Sequence, residues 1–166
     1  MKESDLNRII KSNLNTPDSW ADKINDPPKM VAMSVGENPF DIFGINTSFT
    51  FYIESKLQKR YEAFNFNAIR PHQRANLTTI SDIAKRGKYN NVYPLIVLGI
   101  WLPRKPIELY IFHIDFINKK IEEGKKSILK KEIEEIKKEK KVLIMNKKEF
   151  SIEDFQSKII GVDYVN

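Results

Sequence analysis

Two carboxylates and an ammonium group stand close together in the segment DIFGINTSFTFYIESK, residues 41 to 56. Residues two apart on a strand share a face, so Glu54 and Lys56 would point the same way at the end of an aromatic-rich run. If the segment folds as a hairpin, Asp41 lies close to Glu54. Two such carboxylates repel each other, and a hard cation such as Mg²⁺ relieves the repulsion and binds phosphate oxygens. A water on that cation could attack phosphorus, while Lys56 would stabilise the growing negative charge.

The same three residues can equally be ordinary surface charges, because the short pattern Glu-x-Lys is common in this chain. It occurs four times, starting at Glu54, Glu123, Glu135 and Glu139. The last three copies lie in charged helical sequence, where residues two apart do not share a face. Only the first copy is on an aromatic-rich strand with an aspartate one strand earlier. Spacing alone leaves both interpretations open.

The elements that must position these residues follow the coarse order α-β-β-β-α-β-β, with helical additions at the end. The chain begins with a short amphipathic helix, and Asp18 or Ser19 could cap a further helical turn. A helix is predicted from Pro71 to Gly87, because Leu77 and Ala84 belong to an apolar stripe of helical spacing. Runs of apolar and β-branched residues predict strands at 30–35, 40–45, 48–56, 92–102, 107–113 and 142–145. Three more helices are predicted. The first covers 116–123, with Asp115 as its cap and Gly124 at its end, and the second covers 127–141. The third is a short final helix capped by Ser151 with Asp154.

Composition predicts one domain with a proper core. The chain has 166 residues, of which 41% are hydrophobic and 11% aromatic, which argues against a disordered chain. We expect a core at about 30–118 and a lysine-rich helical region at 119–166. The absence of cysteine excludes disulfides, thiolate catalysis and cysteine zinc sites, and two histidines argue against a His-rich zinc site. The polar start and the short apolar runs predict a soluble, cytoplasmic protein without membrane spans.

The net charge of +6 comes from one region. Residues 119 to 148 hold 12 Lys against 6 Glu, a surplus of +6, so the rest of the chain is balanced. This segment could flank a site for nucleic acid, or it could be a solvated helix laced with Glu–Lys pairs. The pattern does not decide between the two.

Several motifs in a fixed order resemble the core of RecU-type Holliday-junction resolvases, in the wider PD-(D/E)xK nuclease superfamily. The matching residues are Asp41-Ile-Phe-Gly44, then FYIESK, then FNFNAIRPHQ with a His-Gln pair opening a helix, and later GKKSI. The resemblance spans about residues 30 to 136.

This resemblance implies a restriction-endonuclease-like mixed sheet core flanked by helices. It also implies a Mg²⁺-dependent endonuclease, with Mn²⁺ as a substitute, that resolves four-way DNA junctions by symmetric nicking in recombination and repair as a homodimer. Asp41 and Glu54 would be metal ligands, and the backbone carbonyl of Ser55 could add a third oxygen. Lys56 matches the catalytic lysine, and Gln73 the glutamine that orients a ligand or the attacking water.

The candidates for DNA contact lie near the strand end or on the following helix: Lys59, Arg60, Arg70, His72, Arg74 and Lys85. We expect His72 to hold the helix start rather than to bind metal. Family members also carry an acidic residue on the first helix and a projecting stalk. Asp18 or Asp22 could be that acid, and the stalk could be shortened here.

Three alternatives remain open from the sequence. The chain could be another endonuclease of the superfamily, restriction-type or specific for flaps and branches. It could be a non-catalytic DNA-binding accessory protein of recombination. It could also be a helical interaction module built on residues 119 to 160.

Overall fold

A computed structural model describes residues 1–24 and 38–162 of the protein. Its strands are β1 Ser19–Lys23, β2 Ile42–Asn46, β3 Thr50–Gln58, β4 Phe64–Asn65, β5 Val92–Ile100, β6 Ile107–His113, β7 Ser127–Ile128, β8 Leu143–Met145 and β9 Ile159–Ile160. Its α-helices are α1 Glu3–Leu14, α2 Pro71–Gly87, α3 Ile114–Glu122, α4 Lys130–Lys138 and α5 Ile152–Ser157, with a 3₁₀ turn at Phe66–Ala68. No helix in these two ranges is long and apolar enough to cross a membrane.

The main sheet is mixed. Its strands lie in the order β1-β2-β3-β5-β6, and both β8 and β9 pair with β6. The pairs β1–β2, β2–β3, β5–β6 and β6–β8 are antiparallel, whereas β3–β5 and β6–β9 are parallel. Two neighbouring parallel strands need a crossover connection, and α2 lies in the one that joins β3 to β5. This arrangement brings the start of α2 back towards the end of β3.

Apolar layers cover both faces of the central strands. β5 alternates Leu95 and Val97 towards one buried cluster, which includes α1 and α5, with Ile96 and Leu98 towards a second, which includes α2, α3 and α4. A strand covered on both faces must be apolar throughout, as the run VYPLIVLGI is. The central strands therefore give the candidate residues on β3 a rigid support.

The predicted α/β fold class, a mixed sheet flanked by helices in the order α-β-β-β-α-β, is confirmed. The hairpin of β2 and β3, the strands β5, β6 and β8, and the helix α2 with Pro71 at its start are also confirmed. Ser151 caps the last helix as predicted, because its side chain accepts a hydrogen bond from the amide of Asp154.

Four details differ. The helix predicted at 127–141 is α4, which begins at Lys130, because Ser127–Ile128 forms strand β7 and pairs with β4. The stretch from Ser19 forms strand β1 instead of a capped helical turn, because it pairs with β2 over five residues. The cap of α3 is His113 instead of Asp115, which lies in the first turn. The strand predicted at 30–35 lies outside the described residues, and β1 is the first strand of the observed order.

The C-terminal region adds strands to the sheet as well as helices, since β8 and β9 both pair with β6. Six of the twelve lysines between 119 and 148 form ion pairs with glutamates, and two of these pairs, of Lys130 and Lys131, lie within one helix. The six are Lys120, Lys125, Lys130, Lys131, Lys137 and Lys141. One of these pairs ties α4 to the sheet, because the ammonium of Lys137 lies 2.6 Å from the buried Glu108 on β6. Among the six pairs, this is the one whose acid lies outside 119–148, so it offsets one charge of the lysine surplus.

Candidate active site

The hairpin brings Asp41 and Glu54 together as the sequence predicts. The amide of Asp41 donates to the carbonyl of Ile53 at 2.9 Å, which continues the β2–β3 register by one residue and sets Asp41 beside Glu54. Oxygens of these two carboxylates lie within 4.8 Å of each other and of a third, from Glu3. Three carboxylates at this spacing can share one cation.

Glu3 comes from the first turn of α1 and was not among the residues singled out in the sequence. Of the two acids considered for the first helix, Asp18 lies in the turn before β1 and Asp22 lies on β1, where it bonds Lys11. Neither belongs to the cluster of three carboxylates. The buried residues Asn7, Ile10 and Leu14 of α1 follow Glu3 at intervals of four, three and four. That helical spacing places Glu3 on the face that packs against the sheet.

Glu54 is the most buried member of the cluster, with none of its surface exposed. Burial, and secondarily the negative charge of Asp41, raise its pKa from 4.5 to about 7. One oxygen, Oε1, accepts a hydrogen bond from Lys56, while Oε2 has no hydrogen-bond partner within residues 1–24 and 38–162. A buried oxygen acceptor without a donor is costly, and a bound cation would satisfy it.

Lys56 lies two residues further along β3 and points to the same cluster. Its ammonium contacts Glu54 and lies 3.6 Å from Oε1 of Glu3. Burial lowers the pKa of Lys56, but the attraction and hydrogen bond of Glu54 and the charges of Glu3 and Asp41 outweigh it, so the net pKa is raised. The side chain therefore remains a cation next to the acids.

Ser55, between them, holds Asp41 in place from the opposite face of the strand. Its amide and its hydroxyl lie 3.1 and 3.2 Å from Oδ2 of Asp41. The hydroxyl also contacts Oδ1 of Asn7, a buried residue of α1. A hydroxyl carries one proton, so it donates to one of these two oxygens at a time. The Ser55 backbone carbonyl as a metal ligand remains a prediction.

The start of α2 closes the cleft over the acids. Gln73 is buried, and its Oε1 accepts from the amide of Arg70 at 3.1 Å, so the side chain also serves as a helix cap. Nε2 of His72 lies 3.2 Å from the carbonyl of Asn38, in agreement with a role in holding the helix start. The first turn of a helix favours negative charge because its amide groups point outward. A phosphate in the cleft would meet this end of α2.

The cleft has a volume of about 190 Å³ and is lined almost entirely by polar groups: Glu3, Ser4, Asn7, Lys23, Asn38, Asp41, Glu54, Lys56, Arg70 and Gln73. Lys23, at the end of β1, is a cation that the sequence analysis did not identify. Strand β1 was not predicted, so nothing in the sequence placed Lys23 near the acids.

The other predicted DNA contacts lie outside this lining. Arg60 pairs with Glu62 at 2.6 Å, and Lys85 pairs with Asp115 at 2.9 Å near the C-terminal end of α2. Lys59 and Arg74 are exposed. Their contacts with DNA remain predictions.

Comparison with known proteins finds similarity to solved structures, one of which is described here. No protein-family model and no curated protein sequence matches the chain. The structure of Archaeoglobus fulgidus Hjc, described as a Holliday junction resolvase from an archaeal hyperthermophile, is similar over 63% of this chain and 72% of its own. The sequence identity is 18% and the TM-score 0.37. These values identify neither a family nor an activity.

Proposed function

We propose that the protein is a metal-dependent endonuclease that hydrolyses phosphodiester bonds in branched DNA. The observation that supports this most is the cluster of Glu3, Asp41 and Glu54 oxygens within 4.8 Å of one another, with the Lys56 ammonium in contact with it. Three clustered carboxylates repel one another, and a bound cation would offset that repulsion. A lysine beside them can stabilise the negative charge that grows on a phosphate during hydrolysis.

The donor set fits a divalent cation that prefers oxygen. Glu3, Asp41 and Glu54 would hold it, and all three present carboxylate oxygens. Mg²⁺ takes such ligands together with water and substrate phosphate, and Mn²⁺ accepts the same donors. Two properties of Glu54 also favour a bound cation: its Oε2 has no hydrogen-bond partner among the described residues, and its pKa is raised. When bound, the cation would acidify a water and polarise the phosphate.

The residues of the chain would then perform separate tasks. Lys56, held by Glu54, would stabilise the charge that grows on the non-bridging oxygens of the phosphate. Arg70 and Lys23, which line the cleft, would bind neighbouring phosphates. Gln73 would orient the attacking water or a ligand, while the Ser55 amide fixes Asp41. Each task is a matter of position and charge, and none needs the protein to form a covalent intermediate.

The finer proposal is symmetric nicking of four-way junctions by a homodimer. It is supported by the motif order from Asp41 to Gln73, which resembles RecU-type resolvases. Two symmetric cuts need two active sites related by a two-fold axis, as in an isologous dimer. Sedimentation at micromolar concentration should give the dimer mass, with and without a junction.

The direct test compares cleavage of a synthetic four-way junction, a flap and a linear duplex, each with Mg²⁺ and with chelator. We expect paired nicks in the junction with Mg²⁺ and none with chelator. Asp41→Asn should abolish nicking and retain junction binding. The matched control is Asp22→Asn, which makes the same change on neighbouring β1, outside the cluster, and should leave nicking unchanged.

The alternatives give different results in the same experiment. Preference for the flap, or equal cutting of all three substrates, would assign the chain to another class of endonuclease. Metal-independent junction binding without any cleavage would indicate a non-catalytic accessory protein. Unchanged cutting by Asp41→Asn would refute the site.

A further inference from the structure

A second, larger pocket lies at the other end of α2. This helix starts at the candidate active site and spans 17 residues, so at 1.5 Å per residue its ends are roughly 24 Å apart. The pocket has a volume of about 780 Å³, and residues from the last turns of α2, the start of β5 and the start of α3 line it. A cavity of this size suits a small organic ligand, since such sites usually measure about 300–1,000 Å³.

The pocket carries excess positive charge. Among residues 1–24 and 38–162, Asp115 is the one acid in the lining. It is already satisfied, because the Ser81 hydroxyl and the Lys85 ammonium each lie 2.9 Å from its oxygens and Nδ1 of His113 lies 3.3 Å away. Burial would raise the pKa of Asp115, but these hydrogen bonds outweigh it and hold the pKa well below its usual value. The carboxylate is therefore a stable counter-charge for one lysine.

Two further lysines, Lys88 and Lys119, line the pocket from different elements and make no ion pair in the described part of the chain. Lys88 follows the last residue of α2 in a left-handed conformation, with φ 56°, and Lys119 lies in the last turn of α3. Two cations that line one cavity and make no ion pair among the described residues favour an anionic ligand.

Aromatic rings complete the lining. Tyr89 is 58% exposed, although its ring packs against the end of α2. A Cβ at Gly87 would lie 2.2 Å from this ring, so the ring can occupy this position only because residue 87 has no side chain. Tyr93 and Phe116 also line the cavity. An exposed tyrosine beside lysines offers a surface on which a nucleobase can stack.

We propose that this pocket binds a nucleoside phosphate, with the phosphate at Lys88 and Lys119 and the base on Tyr89. Such a ligand has a negative charge that the lysines can bind and a flat ring that can stack on the tyrosine. Its source is either a free nucleotide or the terminal nucleotide of a DNA strand. The assignment does not depend on the proposed nuclease activity, because none of these residues lines the acidic cleft.

The test is an NMR titration of the ¹⁵N-labelled full chain with deoxyadenosine 5′-monophosphate, in chelator so that no metal contributes. We expect saturable shifts at the amides of Tyr89 and Lys119. The double variant Lys88→Gln/Lys119→Gln should bind about fivefold more weakly, since two solvent-facing charge contacts are lost. Tyr89→Ala should also weaken binding, whereas Tyr89→Phe should retain it.

The chain offers a matched control. Lys140 also has positive φ, at 58°, and Lys138 also ends a helix, so Lys138→Gln/Lys140→Gln removes equal charge from equivalent positions outside the pocket. It should change affinity less than about twofold. Equal weakening by the two double variants, or no shift at about 10 mM nucleotide, would overturn the proposal.

Further ligands separate the two sources. Inorganic phosphate and deoxyadenosine should each bind more weakly than the nucleotide, and phosphate binding as tightly as the nucleotide would refute the base contact. A 5′-phosphorylated tetranucleotide that binds more tightly than the free nucleotide supports a strand end, and the reverse order supports a free nucleotide. Asp41→Asn should leave nucleotide binding unchanged, so a failure here and a failure of the nuclease proposal remain distinguishable.

Discussion

Replacing Glu54 by Gln should stabilise the metal-free protein at alkaline pH, although it removes a proposed ligand. Glu54 is fully buried, and its pKa is raised from 4.5 to about 7 by burial and then by Asp41. A carboxyl whose pKa is higher in the folded protein binds its proton more tightly there than in the unfolded chain. Its contribution to stability is therefore complete below pH 4.5 and is lost as the pH rises through 7.

The size of the effect follows from the two pKa values. The difference between 4.5 and about 7 corresponds to roughly 3 kcal/mol at ~1.4 kcal/mol per pKa unit. Glutamine carries no charge and avoids this loss. The attraction and hydrogen bond of Lys56 lower the Glu54 pKa and are already contained in the value of about 7, so the loss of this ionic partner is included in the difference. We expect a net stabilisation of roughly 2–3 kcal/mol above pH 8.

The assay is urea unfolding in chelator at about pH 4.5 and about pH 8.5. The free energy of unfolding of the wild type should fall by roughly 3 kcal/mol more than that of Glu54→Gln between these values. Glu149→Gln, which neutralises an exposed glutamate, is the control and should follow the wild type. Saturating Mg²⁺ should stabilise the wild type and not Glu54→Gln. A parallel pH dependence of the two proteins would refute the assigned burial and repulsion.

Three further expectations follow from contacts around the sheet. Glu3→Gln should reduce Mg²⁺-dependent nicking at least about tenfold, while the free energy of unfolding changes by less than about 0.5 kcal/mol because the side chain is 44% exposed; a nicking assay and urea unfolding check this. Asn7→Ala should lower the free energy of unfolding in urea by about 0.5–1.5 kcal/mol, because one buried hydrogen bond is lost while the Ser55 hydroxyl can still donate to Asp41. Glu108→Gln should lower it by about 1–3 kcal/mol at neutral pH. The hydrogen bonds that Glu108 accepts from Lys137 and two tyrosines outweigh its burial and lower its pKa. That cost should shrink as the pH falls below 4.5, which urea unfolding at several pH values would show.

The strands β2, β3, β5, β6 and β8 and the approach of Asp41 to Glu54 could be predicted from the sequence because they depend on local patterns. Alternation and a short turn define the β2–β3 hairpin, and a hairpin fixes which residues are neighbours. Pro71 and the apolar stripe likewise define α2. These signals extend over fewer than about twenty residues, within the range where periodicity is informative.

Glu3 and Lys23 could not be found in this way because their positions depend on long-range packing. Glu3 joins the site only because α1 packs on β1, β2 and β3, and its local sequence looks like any charged first turn. Lys23 joins it because β1 pairs with β2, although the residues between the two strands give no hairpin signal. The pairing of Asp115 with Lys85 is also tertiary, because it links α3 to α2. No sequence pattern predicts the pocket beside this pair, in which Lys88 and Lys119 make no ion pair among the described residues.

The three clustered acids come from two segments far apart along the backbone, since Glu3 lies in α1 while Asp41 and Glu54 belong to one hairpin. An unfolded polypeptide would have to close one long loop to gather them, at an entropic cost. Cation affinity should consequently arise in step with docking of the first helix on the sheet. A calorimetric titration would then measure how much of the population has that helix in place, even in variants without any catalytic turnover.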